Sequence, residues 1–306
     1  MRDGRILHAN EQYHDWEAVT YDEGHPYMRN AFAQSMFQAD IRAIADTLAP
    51  FHSPIHILDC GAGTGNLSMK FLEAGAHVTA VDISRNMLDR LSLKAARLGK
   101  GALETVHSDI DSFLETTTGR YDVICSSSFL HHLPDYQATY RAMANLASDE
   151  SILYTAFEPR PQTELSTVQK LFTKTDSAVA EILSRRLYNP FIVARAILRR
   201  LRLLPTPAQA LSQVDVSFVE RPDLGVDAEC LSAILRTVGF NHISICWRPV
   251  SRYTITYVLN KNFVHLNNAL FMVSQRSVSK TQRVLTVTSS GTLAASPHSL
   301  ARSDLP

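Results

Sequence analysis

Acidic residues follow three predicted strands, and a glycine-rich turn comes directly after the first of these acids. The turn reads Asp59-Cys60-Gly61-Ala62-Gly63-Thr64-Gly65. Alternating glycines permit positive φ angles and let a ligand approach the backbone closely. The free amides at the start of the predicted helix over residues 67–74 face whatever binds beside the turn. We expect this arrangement to hold a polar or charged small molecule.

Two further acids occupy equivalent positions. Asp82 ends the apolar stretch 77–82, and Asp109 follows the stretch 103–107. A carboxylate at a strand end provides the paired acceptors that a vicinal diol, such as that of ribose, needs. A carboxylate such as Asp82 could therefore hold a vicinal diol.

Two adjacent histidines, His131 and His132, stand in the polar loop Ser126–Asp135 after a fourth apolar stretch, residues 121–125. An imidazole titrates near neutral pH, so either histidine could be a general base. The alternative is that both satisfy backbone groups and shape the loop.

The framework that must position these residues is an alternation of strands and helices. Apolar strands are predicted over residues 55–60, 77–82, 103–107, 121–125 and 151–157, with helical patterns between them. Such alternation predicts a parallel sheet with right-handed crossovers, and ligands of such sheets lie at the carboxyl ends of the strands. The acids, the glycines and the histidine loop are therefore expected to meet in one crevice.

Composition limits the class of protein. The chain has 306 residues, 45% of them apolar, and a formal net charge of zero. A zero net charge argues against a protein that coats nucleic acid or membrane with its whole surface. Cys60, Cys125, Cys230 and Cys246 lack the paired spacing of a metal site, so we expect reduced thiols and no metal. The sequence has neither a signal-peptide pattern nor an apolar run of about 18 residues, and we interpret it as cytoplasmic.

Residues 50–160 resemble the class I S-adenosylmethionine-dependent methyltransferases. The resemblance rests on the acid-x-Gly-x-Gly-x-Gly turn, on the two later acids, and on the Ser-Phe-Leu-His-His-Leu-Pro-Asp loop, which is similar to that of small-molecule enzymes related to quinone biosynthesis. It implies a Rossmann-like, seven-stranded, mostly parallel sheet with a C-terminal antiparallel hairpin, N-terminal helices and a helical cap insertion. A dinucleotide site is disfavoured because Asn66 stands at the sixth position of Gly-x-Gly-x-x-Gly.

The resemblance also implies which residues contact the cofactor S-adenosylmethionine. They are Tyr21, Asp59, Gly61, Ala62, Gly63, Gly65, Asp82, Ile83, Asp109, Ile110 and Ser126. In the family the acid at Asp82 grips the ribose hydroxyls and the acid at Asp109 lies near the adenine, while Asp59 could hold the amine. Tyr21 belongs to an aromatic lid segment that covers the cofactor in this family, although these rings could instead pack only against the sheet. His131 and His132 are the candidate catalytic residues.

The predicted organisation has five parts. They are lid helices over 1–50, the cofactor-binding core over 51–159, a helical cap insertion over 160–225, the last helix and hairpin of the core over 226–260, and a C-terminal extension over 261–306. The hairpin is predicted from strands over 242–248 and 253–260. Residues 262–275 are expected to pack back as a helix or at a subunit contact, which leaves a homodimer open. The last eighteen or so residues are expected to be disordered.

The predicted cap carries a basic run, residues 185–202, with six arginines and no acid. In this family such insertions cover the acceptor pocket, so the run suggests an amphipathic, acidic or phosphorylated acceptor, or peripheral contact with a membrane surface. A solvated helix face is the alternative. The tripeptide Asn189-Pro190-Phe191, similar to one in DNA-base methyltransferases, is far from the loop after the fourth strand, so nucleic acid is not favoured.

We therefore expect methyl transfer from S-adenosylmethionine to a small hydrophobic or acidic acceptor, such as a lipid, a quinone-like compound or a specialised metabolite. In-line displacement of this kind depends on alignment more than on proton transfer. Two alternatives stay open. One is a methyltransferase acting on RNA or protein, and the other is a non-catalytic partner that binds S-adenosylmethionine.

Overall fold

The N-terminal 48 residues form a set of helices that precedes the sheet. The computed structural model describes residues 2–160, 166–169, 171, 225–248, 269–276, 284–287 and 293–296. The first elements are α1 (Arg2–Glu17), a 3-10 turn (Ala18–Thr20), α2 (Tyr21–Gly24), α3 (Pro26–Arg29) and α4 (Ala31–Leu48). The helices predicted before the first strand are thus confirmed.

The core then alternates strands with helices, as predicted. Its elements are β1 (His56–Cys60), α5 (Ser68–Glu73), β2 (His77–Asp82), α6 (Arg85–Leu98), β3 (Ala102–His107), α7 (Ile110–Thr116), β4 (Tyr121–Ser127), a 3-10 turn (Leu130–His132), α8 (Tyr136–Asn145) and β5 (Ala147–Pro159). The later elements are α9 (Ala228–Thr237), β6 (His242–Arg248), β7 (Ala269–Gln275), β8 (Val284–Val287) and β9 (Leu293–Ser296).

Seven strands form one sheet in the order β3-β2-β1-β4-β5-β7-β6. The first five pair in parallel, and β7 is antiparallel to both β5 and β6. The order reverses between β1 and β4, which is where an open parallel sheet places its ligand crevice. The predicted Rossmann-like fold class with a C-terminal antiparallel hairpin is confirmed.

The sheet is buried on both faces because helices cover each side. Ile57 and Leu58 are adjacent in β1 and both fully buried, yet they belong to different apolar clusters. The cluster around Ile57 includes side chains of α4, α5 and α6, whereas the cluster around Leu58 includes side chains of α7, α8 and α9. This two-sided burial explains why β1 reads as a continuous apolar run rather than an alternating one.

Local signals define the long helix after β2. The Ser84 hydroxyl accepts a hydrogen bond from the amide of Met87 at 3.2 Å and so caps the start of α6. Gly99 ends the helix in the left-handed conformation with φ of +62°. Both residues match the preferences of helix termini, and the helical pattern predicted between the second and third strands is confirmed.

The described partner of β6 lies further along the sequence than the predicted second hairpin strand, 253–260, which falls outside the described residues. The strand that pairs with β6 is β7, which lies 20 residues after it in the sequence and inserts between β5 and β6. Residues 269–275 were expected to form a helix or a subunit contact. They form a central strand instead, and all seven are buried, which accounts for their nearly unbroken apolar sequence.

The tail prediction also needs correction. Residues 293–296, expected to be disordered, form β9, which pairs with β8. Leu285 and Leu293 are buried in the cluster that contains α4. The predicted cap over 160–225, including the arginine run and the tripeptide at 189–191, lies almost entirely outside the described residues, as does the predicted strand over 253–260. Among the helices that are described, none combines the length and apolar character needed to cross a bilayer.

A buried ion pair ties α4 to the far edge of the sheet. Asp40 and Arg248 are 0% and 2% exposed, and both guanidinium nitrogens Nη1 and Nη2 donate to the carboxylate. The same carboxylate accepts the Tyr154 hydroxyl at 2.7 Å and the Leu293 amide at 3.1 Å. The guanidinium also lies 4.3 Å from the centre of the Phe271 ring. Four hydrogen bonds therefore satisfy one interior carboxylate, and the guanidinium neutralises its charge.

Replacing Asp40 by Asn should destabilise the fold strongly, because Arg248 would keep its charge without a counter-ion. Removing one partner of a buried ion pair costs about 3–5 kcal/mol. Chemical denaturation would measure this loss. Asp46→Asn, the same change at an exposed position of α4, should shift stability by less than about 0.5 kcal/mol. Equal denaturation midpoints for the two variants would contradict the role given to Asp40.

Candidate functional site

One large cavity opens at the carboxyl ends of the parallel strands, beneath the N-terminal helices. It encloses about 1050 Å³, including its open mouth. Its walls come from α1 and the short helices, the glycine turn, and the loops after β2, β3 and β4. The crevice predicted at this edge of the sheet is therefore present.

Most of the predicted site residues lie in the cavity wall. Those that line it are Tyr21, Asp59, Gly61, Ala62, Gly63, Asp82, Ile83, Asp109, Ile110 and His132. Three predicted residues are absent from the wall. Ser126 is fully buried in β4 beside Cys60, and Ser127 and Ser128 line the cavity instead. Gly65 lines a neighbouring surface pocket with Asn66 and Lys70, and His131 is not in the cavity wall.

The glycine turn has the geometry that its sequence predicted. Gly61, Gly63 and Gly65 have φ angles of +68°, +53° and +93°, a region that residues with a Cβ rarely adopt. A Cβ on Gly61 would lie 2.1 Å from the Phe129 ring, and one on Gly65 would lie 2.4 Å from Leu91. Gly63 has open space around it. Gly61 and Gly65 thus serve close packing, and Gly63 exposes backbone to the cavity.

Asp59 is an interior carboxylate held by the start of α5. Its Oδ2 accepts the Ser68 amide at 3.0 Å and the Ser68 hydroxyl at 2.6 Å. Burial raises the pKa of Asp59 to about 6, although these hydrogen bonds oppose the shift. The residue therefore carries its negative charge at neutral pH, and no cation of the described part of the chain is hydrogen-bonded to it.

Asp82 joins the glycine turn to the start of α6. Its Oδ2 accepts the Gly63 amide at 2.7 Å and its Oδ1 accepts the Ser84 amide at 2.8 Å. Burial raises its pKa to about 6 as well, against the effect of the two amides. Each carboxylate oxygen can accept more than one hydrogen bond, so Asp82 keeps acceptor capacity toward the cavity.

Two carboxylates of the lid helices, Asp15 and Asp22, fasten the N-terminal helices to the core. Asp15 at the end of α1 accepts the Ser84 hydroxyl at 2.6 Å and the Asn86 amide at 3.2 Å. Asp22 accepts the Thr64 hydroxyl at 2.5 Å and pairs with Lys94 at 2.5 Å. The lid therefore touches both the glycine turn and the start of α6, which are the two elements that Asp82 links.

Asn66, the residue that argued against a dinucleotide site, makes a third connection. Its Oδ1 accepts Gln34 Nε2 of α4 at 3.1 Å. Lys70 Nζ donates to the Asn66 carbonyl at 2.9 Å and to Gln34 Oε1 at 2.6 Å. The polar side chain therefore ties α4 to the turn, which a glycine at this position would not do.

Tyr21 lies in the wall as predicted, within an aromatic group that sequence reasoning identified only in part. Its hydroxyl is 3.0 Å from that of Tyr27, and its ring stacks on His25 at 4.1 Å. Tyr27 in turn packs against Phe157 at 4.4 Å. Burial raises the pKa of both tyrosines, that of Tyr27 to about 12, so both are neutral aromatic walls.

The two candidate catalytic histidines have different environments. His131 Nδ1 lies 2.8 Å from Glu158 Oε2, and its ring packs on His132 at 4.0 Å. His132 lines the cavity and meets the edge of His14 from α1 at 5.4 Å. His132 is thus the better placed of the two to contact a ligand. His131 packs against the His132 ring and is held by Glu158. His14 was not predicted, because nothing in its sequence context distinguishes it.

Glu158 organises this loop and was also missed. It is fully buried and accepts the amides of Phe129 at 2.8 Å and Leu130 at 2.9 Å as well as bonding His131. A break in the register between β5 and β7 occurs at Phe157, whose φ is +61°. Such a bulge redirects the side chains that follow it. A local irregularity in a strand leaves little trace in the residue pattern.

The charged side chains described in the cavity wall are all carboxylates. Four carboxylates line it, namely Asp59, Asp82, Asp109 and Asp111. In the described part of the chain, no lysine or arginine lines it. The amides and hydroxyls that hold these acids carry no full charge. The cavity therefore favours a ligand with positive charge and with hydroxyl or amine donors.

Comparison with known proteins finds similarity to methyltransferases in one segment of the chain. Residues 57–149 match the family model of a methyltransferase domain. Over 90 residues the chain is 33% identical to the ubiquinone biosynthesis O-methyltransferase of Aromatoleum aromaticum, a match covering 29% of this chain and 38% of that protein. Over 96 residues it is 36% identical to the enzyme of the same name from Bordetella pertussis, covering 30% and 37%. The chain thus spans less than two fifths of the length of these relatives.

A solved structure extends the likeness beyond the matched segment. The plantazolicin methyltransferase BpumL, solved in complex with SAH, is 14% identical, with a TM-score of 0.50 and coverage of 90% of this chain and 96% of that chain. At this identity the likeness concerns the fold alone.

Gly61→Ala should disrupt the turn more than a matched glycine change elsewhere. Gly99→Ala places a Cβ at a similar φ of +62° with open space around it, so it should cost about 1–2 kcal/mol. At Gly61 the overlap with Phe129 adds about 1–3 kcal/mol. Thermal and chemical unfolding of both variants would measure the difference. Equal losses would mean that close packing against Phe129 does not constrain the turn.

Proposed function

We propose that this chain, whose residues 57–149 form a class I methyltransferase domain, binds S-adenosylmethionine and transfers its methyl group to a small molecule. The observation that carries the proposal is the wall of four carboxylates without a described lysine or arginine, arranged around a glycine turn. S-adenosylmethionine carries a sulfonium, an ammonium and a ribose diol. A cationic ligand of this kind supplies the charge that the wall lacks.

The individual residues fit the groups of this cofactor. Asp82 has acceptor capacity toward the cavity and would hold the ribose hydroxyls. Asp59, buried and without a cation hydrogen-bonded to it, would hold the ammonium group. Asp109 caps α7 through the Ser112 amide and lies in the wall beside Ile110. That position suits the adenine, with Ile83 and Ile110 as apolar neighbours.

The chain's own contribution to the reaction would be positioning and the exclusion of water. When bound, S-adenosylmethionine supplies an electrophilic methyl group. The lid, fastened through Asp15 and Asp22, covers the cavity, and closure of this kind strengthens electrostatic interactions inside. Tyr21 and Tyr27 offer ring faces, which attract cations. His132 is the side chain placed to accept a proton from an acceptor that must lose one.

The described wall also bears on the class of acceptor. An acidic acceptor would meet four carboxylates and no described cation. The wall therefore supports a neutral, largely apolar acceptor over an acidic one. The arginine run that suggested an acidic acceptor lies outside the described residues.

Asp82→Asn should weaken the binding of S-adenosylhomocysteine by about 10- to 100-fold, because a hydrogen bond to a charged group contributes about 1.5–3 kcal/mol. Isothermal titration calorimetry would measure the dissociation constants. Asp89→Asn removes an exposed carboxylate of α6 that pairs only with Arg85 and should leave affinity unchanged. Failure of the wild-type protein to bind S-adenosylhomocysteine or S-adenosylmethionine would contradict the proposed function.

Affinity for S-adenosylmethionine should fall as the pH is lowered from 7.5 to 5. Asp59 and Asp82 have pKa values raised to about 6, so acid neutralises them in the free protein. A cationic ligand binds the ionised forms better, and affinity must therefore rise with pH through this range and level off above it. S-adenosylhomocysteine, which lacks the sulfonium charge, should show a smaller change in calorimetry. A flat profile for both ligands would disprove an electrostatic role for these carboxylates.

A further inference from the structure

One face of α1 forms the part of the cavity wall that sequence analysis did not anticipate. Leu7, Asn10 and His14 all line the cavity, and their spacing places them on a single stripe of the helix. Asn10 precedes His14 by one turn, about 6 Å along the helix axis. The stripe thus offers two polar side chains and one apolar side chain to whatever occupies the cavity.

Asn10 carries a buried acceptor with no partner among the residues that the structure describes. The residue is 6% exposed, and its Nδ2 donates to the Ile6 carbonyl at 3.1 Å. Its Oδ1 is buried and makes no hydrogen bond. A carbonyl only accepts hydrogen bonds, so the amide cannot be turned the other way without losing this contact. An unpaired buried acceptor costs free energy unless a ligand donates to it.

The end of the stripe at His14 lies beside the loop after β4, which supplies none of the cofactor contacts proposed above. Those contacts come from the loops after β1, β2 and β3, whereas His14 meets His132 in the loop after β4 at 5.4 Å. The nearby wall residues Phe129 and Leu133 from the same loop are apolar. Burial lowers the pKa of His14 to about 4, with nearby His25 and His131 acting in the same direction, so this imidazole is neutral at physiological pH.

We infer that Asn10 selects the methyl acceptor, its Oδ1 accepting a hydrogen bond from a hydroxyl or N–H group on a neutral molecule with an apolar body. The inference rests on the proposed function. Leu7, Phe129 and Leu133 contact the apolar body, while Asn10 and His14 are the polar groups that α1 presents to it. A molecule without a donor leaves Oδ1 unpaired and binds less well for that reason.

Phenol and anisole are suitable probes, since both have a small apolar ring and only phenol has a hydroxyl donor. Each would be titrated by ligand-observed NMR into the complex with S-adenosylhomocysteine. The wild-type protein should bind phenol about five-fold more tightly than anisole, the effect of one neutral hydrogen bond. Asn10→Leu, which keeps the branched shape, should reduce this preference to less than about two-fold.

Gln12→Leu is the matched control, because it also replaces an amide side chain of α1 by leucine, at a residue that does not line the cavity. It should keep the full preference for phenol. The affinity of each variant for S-adenosylhomocysteine is measured in the same preparation and should equal that of the wild type, which also verifies folding.

Three results would overturn the inference. They are equal binding of phenol and anisole by the wild type, an unchanged preference in Asn10→Leu, and a selective loss of S-adenosylhomocysteine affinity in that variant, which would assign the amide to the cofactor. The two hypotheses fail differently. Absence of S-adenosylhomocysteine binding by the wild type contradicts the proposed function itself, whereas normal binding without a phenol preference contradicts only the role of Asn10.

Discussion

Asp59 and Asp82 in the cavity wall are hydrogen-bonded to backbone amides rather than to cations. The negative charge of the cavity depends on this type of hydrogen-bond partner. Asp82 takes its hydrogen bonds from the amides of Gly63 and Ser84, and Asp59 from Ser68. An amide orients a carboxylate without cancelling its charge. The turn and helix starts are therefore ordered by the same groups that leave the cavity electronegative. Asp40 is the contrast, since Arg248 neutralises it where no ligand approaches.

The lid shares in this arrangement. Ser84 caps α6, donates its amide to Asp82 and donates its hydroxyl to Asp15 of the lid. Thr64 of the turn donates to Asp22. A ligand that changes the position of the turn therefore acts directly on groups that fasten the lid. These hydrogen bonds are therefore sufficient to couple the binding of a cofactor to the position of the lid.

Sequence reasoning succeeded where local pattern and topology agree. The strand-end acids and the glycine turn could be located because apolar periodicity fixed β1 to β5, and a parallel sheet brings their ends together. It failed where partners are distant or the pattern is ambiguous. The run 269–275 is apolar enough for a helix or a buried strand, and only its pairing with β5 and β6 decides. Tertiary contacts give Asn10, His14 and Glu158 their roles, and the residues next to them in the sequence do not indicate these contacts.

The ion pair at Asp40 has a consequence for the order in which the chain can fold. Its partners Arg248 and Leu293 are separated from it by 208 and 253 positions. Contacts of such long range form late, because the loop between them must close first. During synthesis from the N-terminus, α4 must wait for nearly the whole chain before its carboxylate is neutralised. The sheet order imposes the same delay, since β7 fills the position between β5 and β6 only after β6 has been made. The strands that frame the crevice are thus synthesised long before the elements that secure them. In the interval the nascent chain exposes the unpaired edge of an incomplete sheet. Such an edge is prone to aggregation, and chaperones that bind unfolded chains protect it.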